Sequence, residues 1–145
     1  MYSVGNRSAI SPYSRTTTVV AFFLGLQTFV LLFLVSAILV LKTGIWPENY
    51  FGLDGANIVR HSSSFTLNGT FILLGVTITS LVLLIRRSPW VFATYTVAVV
   101  GHAAVWVSNL SNPYYHGEIG FIIFMIEVPA GILLAWDFRP KPLAA

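Results

Sequence analysis

Between Val19 and Leu41 the chain runs without a single charged residue. Three more apolar stretches follow: Phe65 to Ile85, Trp90 to Leu110, and Ile119 to Trp136, the last interrupted by one carboxylate, Glu127. About 20 apolar residues in helical form cross a hydrocarbon layer about 30 Å thick. Inside that layer every backbone polar group must be satisfied within the segment or within a closed barrel. A barrel would need segments of about ten residues alternating apolar and polar, and these runs do not alternate. The pattern therefore predicts an all-α membrane protein, an antiparallel four-helix transmembrane bundle with helices at about 19–41, 65–85, 90–110 and 119–136.

Composition agrees with lipid as the solvent. The 145 residues are 56% hydrophobic and 9% charged, against about 25% charged in soluble domains. The first run is too long for the core of a cleaved signal peptide, about 7–15 residues, so it is expected to stay as a membrane anchor. Cysteine is absent, which excludes disulfides, thiolate metal sites and a cysteine nucleophile. No basic run or arginine stripe of the kind that grips a polynucleotide is present, so no nucleic-acid partner is expected.

The basic residues report topology. With four spans, Arg7, Arg15, Arg86, Arg87, Arg139 and Lys141 fall on one side, Lys42 and Arg60 on the other. Lysine and arginine stay cytoplasmic, so both termini are predicted inside an inner or plasma membrane, with Arg86-Arg87 as the strongest pin. Residues 1–18 are then a cytoplasmic segment, 19–138 one membrane domain and 139–145 a cytoplasmic tail. The longest connection runs from Lys42 to Ser64. Its stretch from Trp46 to Phe51 has the amphipathic aromatics that settle among headgroups.

At about 1.5 Å per residue, polar groups from all four spans fall in one layer. Measured from the cytoplasmic ends, Gln27 and Thr77 lie about 12 Å deep, Glu127 about 14 Å and His102 about 18 Å. An ionised, unpaired carboxylate there is costly, so Glu127 should face the bundle interior and meet a partner. Gly120, Glu127 and Gly131 share a helical face, and small residues mark faces where helices approach. Ile122, Ile123, Ile126 and Leu133 are expected toward lipid. Tyr95, His102, Trp106 and Asn109 follow helical spacing on the third span. His102 and Glu127 are thus the expected buried polar pair, with Gln27 and Thr77 in support. Such a layer serves either as interhelical hydrogen bonding alone or as a protonatable site at the end of a ligand pocket.

Asn57, Arg60 and His61 before the second span, with His116 and Glu118 before the fourth, are expected to line an outer vestibule. Asn68, shallow in the second span, should need a hydrogen-bond partner. Only His102 lies deep enough for haem, so bis-histidine ligation is not expected, and three scattered histidines make no metal-ligand set. No phosphate loop, nucleophile elbow or dinucleotide-binding glycine pattern occurs.

Three places carry a family resemblance: Asn57-Ile58-Val59-Arg60 before a glycine-containing second helix, Gly101-His102 followed by Ser108 in the third, and Glu127 in the fourth. In these the chain from about residue 45 to 138 resembles small bacterial four-helix membrane proteins near the DoxX-like superfamily. It departs from their pattern at Ile58, where an acidic residue is usual, and at Ser63-Ser64, where glycines are. The resemblance implies an inner-membrane four-helix protein that works with larger partners. With short loops and no catalytic motif, the leading expectation is a non-enzymatic accessory subunit of a larger membrane complex or a homo-oligomer, surrounded by lipid and requiring no cofactor. The alternatives are a small proton-coupled transporter, or a quinone- or lipid-binding protein or enzyme, using His102 and Glu127.

Overall fold

The computed structural model describes residues 15–43 and 54–137 and is all-helical there, with α1 Arg15–Thr43, α2 Gly55–His61, α3 Ser64–Ile85, α4 Val91–Asn109 and α5 Glu118–Asp137. Four of these helices are long and apolar enough to cross a membrane: Thr16–Thr43, Ser64–Ile85, Val91–Asn109 and Glu118–Trp136. The aromatic stretch from Trp46 to Phe51, the terminal segments and the charges Arg7, Arg139 and Lys141 lie outside the described residues.

Local chemistry sets the helix ends. Ser63 caps α3 by accepting from the Thr66 amide at 3.0 Å, offsetting one of the orphan donors of a first turn. α3 stops at Arg86, and Arg87 then takes a left-handed conformation, φ 54°. The Ser88-Pro89 pair starts the approach to α4, with Trp90 N donating to Ser88 Oγ at 3.3 Å. After α4, Asn112 Oδ1 accepts from Tyr114 N at 3.1 Å, an Asx turn that reverses the chain. Gly117, at φ 91°, supplies the backbone that other residues rarely adopt, and its carbonyl accepts from Phe121 N at 3.0 Å to open α5.

α3 packs on α4 and on α1, α1 packs also on α5, and α5 closes the ring against α4. The interior is divided into two apolar clusters. One joins Val20, Leu24, Leu84, Val91, Ala130 and Leu134 around Tyr95; the other joins Leu31, Leu73, Ala98 and Ile123. The buried polar side chains Gln27 and Glu127 sit between them in sequence on their own helices, and His102 lies one turn beyond Ala98 on α4. The outer faces carry large apolar residues such as Phe29, Ile72 and Trp136, each about two-thirds exposed. Water would punish such a surface; hydrocarbon does not.

Three sequence expectations need correction here. The connection before α3 contains a helix of its own, α2, which its seven residues and lack of apolar periodicity concealed. Ile123, expected toward lipid, is 3% exposed, because it lies one turn before Glu127 and shares its inward face. Asn68, expected to find an internal partner, is exposed.

Candidate functional site

Glu127 is completely buried, and groups from two other helices meet its carboxyl. His102 Nδ1 from α4 lies 2.7 Å from Glu127 Oε2. Gln27 from α1 donates through Nε2 to Oε1 at 2.5 Å. Tyr95, two turns before His102 on α4, donates its hydroxyl to the Glu127 backbone carbonyl at 3.1 Å and lies 3.5 Å from Gln27 Oε1. The carboxyl fixes the amide orientation of Gln27, since Nε2 must face it to donate. The sequence pattern put Tyr95 on the right face of α4, but its bond to a carbonyl of α5 had no sequence signal.

Thr77 is equally buried, yet its hydroxyl has no hydrogen-bond partner among the described residues. It shares the depth of the layer without joining its bonds. The ring of His102 stacks on Phe124, with centroids 4.7 Å apart and planes at 29°, and Phe124 in turn meets Trp106 at 5.1 Å. Trp106 Nε1 donates to the Gly117 carbonyl at 3.1 Å. The imidazole is therefore held on one edge by the carboxyl and on one face by an aromatic ladder.

The imidazole also borders a cavity. His102 lines a space of about 200 Å³ with Leu31 and Ala37 of α1, Leu73 of α3, Val105 of α4 and Ile123 of α5. Nδ1 is taken by Glu127, and no described residue lies within hydrogen-bonding distance of Nε2. About 150 Å³ suffices for benzene in an apolar protein cavity, so the space suits one ring with substituents or a short branched chain. Phe33 also lines it and is 47% exposed, so the wall on that side of α1 borders the surroundings of the bundle.

α2 roofs the cavity with Ile58, Val59 and Ser62. Asp54 starts it, accepting from Asn57 N at 3.2 Å and from Asn57 Nδ2 at 2.7 Å. Asn112 Nδ2 donates to the Ile58 carbonyl at 2.8 Å, and the Ser62 hydroxyl lies 3.0 Å from Asn109 Oδ1. At its other end Gly55 lies against Leu41 of α1. A side chain on Gly55 would press on that leucine, so the glycine lets the roof seat closely.

The expected outer vestibule does not form as one wall. Asn57, Arg60 and His61 occupy the face of α2 opposite Ile58 and Ser62: Arg60 Nη1 reaches Asn57 Oδ1 at 3.4 Å and His61 Nδ1 lies 2.9 Å from the Asn57 carbonyl. His61 meets Tyr114, ring centroids 4.7 Å apart. His116 and Glu118 are exposed, and none of these five residues lines the cavity. The polar groups at its outer end are Ser62, Thr66, Asn109 and Tyr115 instead. Tyr115 accepts from Gly120 N at 2.9 Å; burial pushes its hydroxyl above the usual tyrosine range, the Gly120 bond opposes this and the Glu118 charge adds to it. Among the described residues no three His, Asp or Glu side chains converge as a metal-ligand set.

No protein-family model matches the chain, and no curated protein and no solved structure is significantly similar to it.

Proposed function

We propose that this is a binding protein of the inner or plasma membrane, taking a small apolar molecule of the quinone or lipid class beneath α2 with its polar end at His102. One observation carries the reading: an apolar cavity is lined by a buried imidazole whose Nε2 makes no hydrogen bond among the described residues, while its other nitrogen is anchored to Glu127. Ligand sites are typically apolar pockets with a few convergent polar groups, and an intramembrane ionisable group facing a cavity marks such a site. The test is mass spectrometry of small molecules retained after gentle extraction from native membrane. Wild type should retain one apolar species stoichiometrically, and Ala37→Phe, which fills the cavity from α1, should lose it. Equal retention by both proteins would refute the reading.

The same proposal takes the bundle as antiparallel with both termini cytoplasmic. Its support is the cluster joining Val20 near the start of α1, Leu84 at the end of α3, Val91 at the start of α4 and Leu134 near the end of α5. The basic turn Arg86-Arg87 lies at that end, and basic residues favour the cytoplasm. The Asn57–Arg60 pair, Gly101-His102 and Glu127 support kinship with DoxX-like proteins.

A second reading, the accessory subunit or homo-oligomer, is favoured by one feature of α3. Asn68, Gly75 and Thr79 lie on a single face at helical spacing and all are exposed, and small or polar residues on such a face suit docking of another membrane helix. Gly75→Leu should then shift the protein to a smaller species on native sizing; an unchanged size would remove this reading.

A further inference from the structure

We infer that the site takes a carbonyl-bearing apolar molecule and takes it together with one proton held on the His102–Glu127 pair. The inference rests on the ligand-binding reading and specifies its chemistry. The pair is electrically neutral only when it carries one proton, and among the described residues the surrounding layer offers no other ion to balance it. α3 contains no titratable side chain, and α1 has none between Arg15 and Lys42 at its ends. On α4 the titratable groups are His102 and Tyr95, the latter donating to the Glu127 carbonyl. α5 adds only Glu127 between Glu118 and Asp137, and α2 places Arg60 and His61 on its exposed face. A net charge buried among such neighbours is costly.

The one proton has two possible seats along the 2.7 Å contact. On the carboxyl, Oε2 donates to Nδ1, and the neutral ring keeps its hydrogen on Nε2. On the ring, both nitrogens carry hydrogen. In both arrangements Nε2 carries hydrogen and is a donor left over for a ligand in the cavity that His102 lines. The ligand atom that meets it must accept, as a carbonyl oxygen does. When the pair loses its proton, the remaining ring hydrogen sits on Nδ1 to serve the carboxylate, and Nε2 becomes a bare acceptor. A carbonyl facing it then has no hydrogen bond. A hydroxyl is indifferent, because it can accept from N–H or turn and donate to bare nitrogen. Gln27 keeps Oε1 occupied throughout by donating to it through Nε2. The imidazole thus acts as a donor that the proton switches on.

Menthone and menthol test this, being a ketone and an alcohol of one carbon skeleton and of a size suited to the cavity. Their affinities for the full chain in lipid nanodiscs are measured by calorimetry across a pH series from about pH 5 to about pH 8. Partition into lipid is subtracted with Ala37→Phe. Menthone affinity should fall by about tenfold in all as the pair loses its proton, the worth of one hydrogen bond, while menthol affinity stays level. Glu127→Gln should remove the pH dependence of menthone. As a readout that does not depend on assembly of that variant, the ¹⁵N shift of the His102 ring in wild type is followed as well and should move with menthone affinity. Parallel pH profiles for the two probes, or a level profile for menthone, overturn the proton coupling and leave the cavity reading standing. Binding of neither probe above the Ala37→Phe background overturns both.

Discussion

Gly120→Ala should destabilise the bundle even though alanine is the better helix former. A Cβ at Gly120 would overlap the Trp106 indole at Cδ1, Nε1 and Cγ. The indole has little freedom to yield, since Nε1 is bonded to the Gly117 carbonyl at 3.1 Å and Phe124 lies 5.1 Å from its ring. Swinging it aside breaks that hydrogen bond, worth about 1 kcal/mol. The alternative, shifting α5 away from α4, costs about 1–3 kcal/mol as in overpacked cores. Alanine regains about 1 kcal/mol of helix propensity, which leaves a net loss of up to about 2 kcal/mol when α5 shifts. Gly25→Ala is the internal control: nothing lies within 4 Å of a Cβ there, so the propensity gain should appear unopposed. The assay is unfolding by denaturing detergent, followed by circular dichroism, for wild type and both variants. A Gly120→Ala protein as stable as wild type, or a Gly25→Ala protein equally weakened, would refute the assignment of Gly120 to a close helix approach.

Other consequences can be measured in the same preparations. Glu127→Leu leaves Gln27 Nε2 and His102 Nδ1 without their acceptor; orphaned donors cost about 1–3 kcal/mol each in water-excluding interiors, and less where the unfolded chain in lipid finds other partners. Adding Gln27→Leu should restore part of that loss, and strictly additive losses would show that the two side chains are not coupled. Asp54→Ala removes the cap of α2 at a cost of about 1 kcal/mol, which should speed hydrogen exchange in residues 55–61 while exchange in the middle of α4 stays unchanged. Tyr115, whose pKa is raised from 10.0, ionises in the unfolded chain before it does so in the folded one. Its stabilising contribution is therefore complete below about pH 10 and declines as pH rises beyond it; Tyr115→Phe should flatten that decline in a pH series of unfolding curves.

The spans were legible because length and charge are the whole requirement for crossing hydrocarbon. Predicted limits of 19–41 and 90–110 became Arg15–Thr43 and Val91–Asn109, shifts of a few residues where polar ends such as Thr16 to Thr18 can continue a helix beyond its apolar core. The inward turn of Glu127 followed from cost alone, whereas its third contact, the tyrosine bond to a backbone carbonyl, depended on helix rotation. The cavity was not legible. It arises from the way a seven-residue helix lies across the ends of α1 and α4, and the residues that tie it down, Ser62, Asn109 and Asn112, look like ordinary loop polarity. The vestibule expectation failed for the same reason: charge suggested Arg60 and His61, but a short helix has two faces, and theirs turns outward.

Gln27 carries a duty that its neighbours cannot. α1 is apolar almost all the way round between its ends, so oily contacts alone would accept it at many azimuths and heights. A slip of one residue would carry the amide through about 100° and about 1.5 Å, out of reach of both the carboxyl and the phenol. One side chain thus works as the key that lets an otherwise featureless rod dock in a single pose.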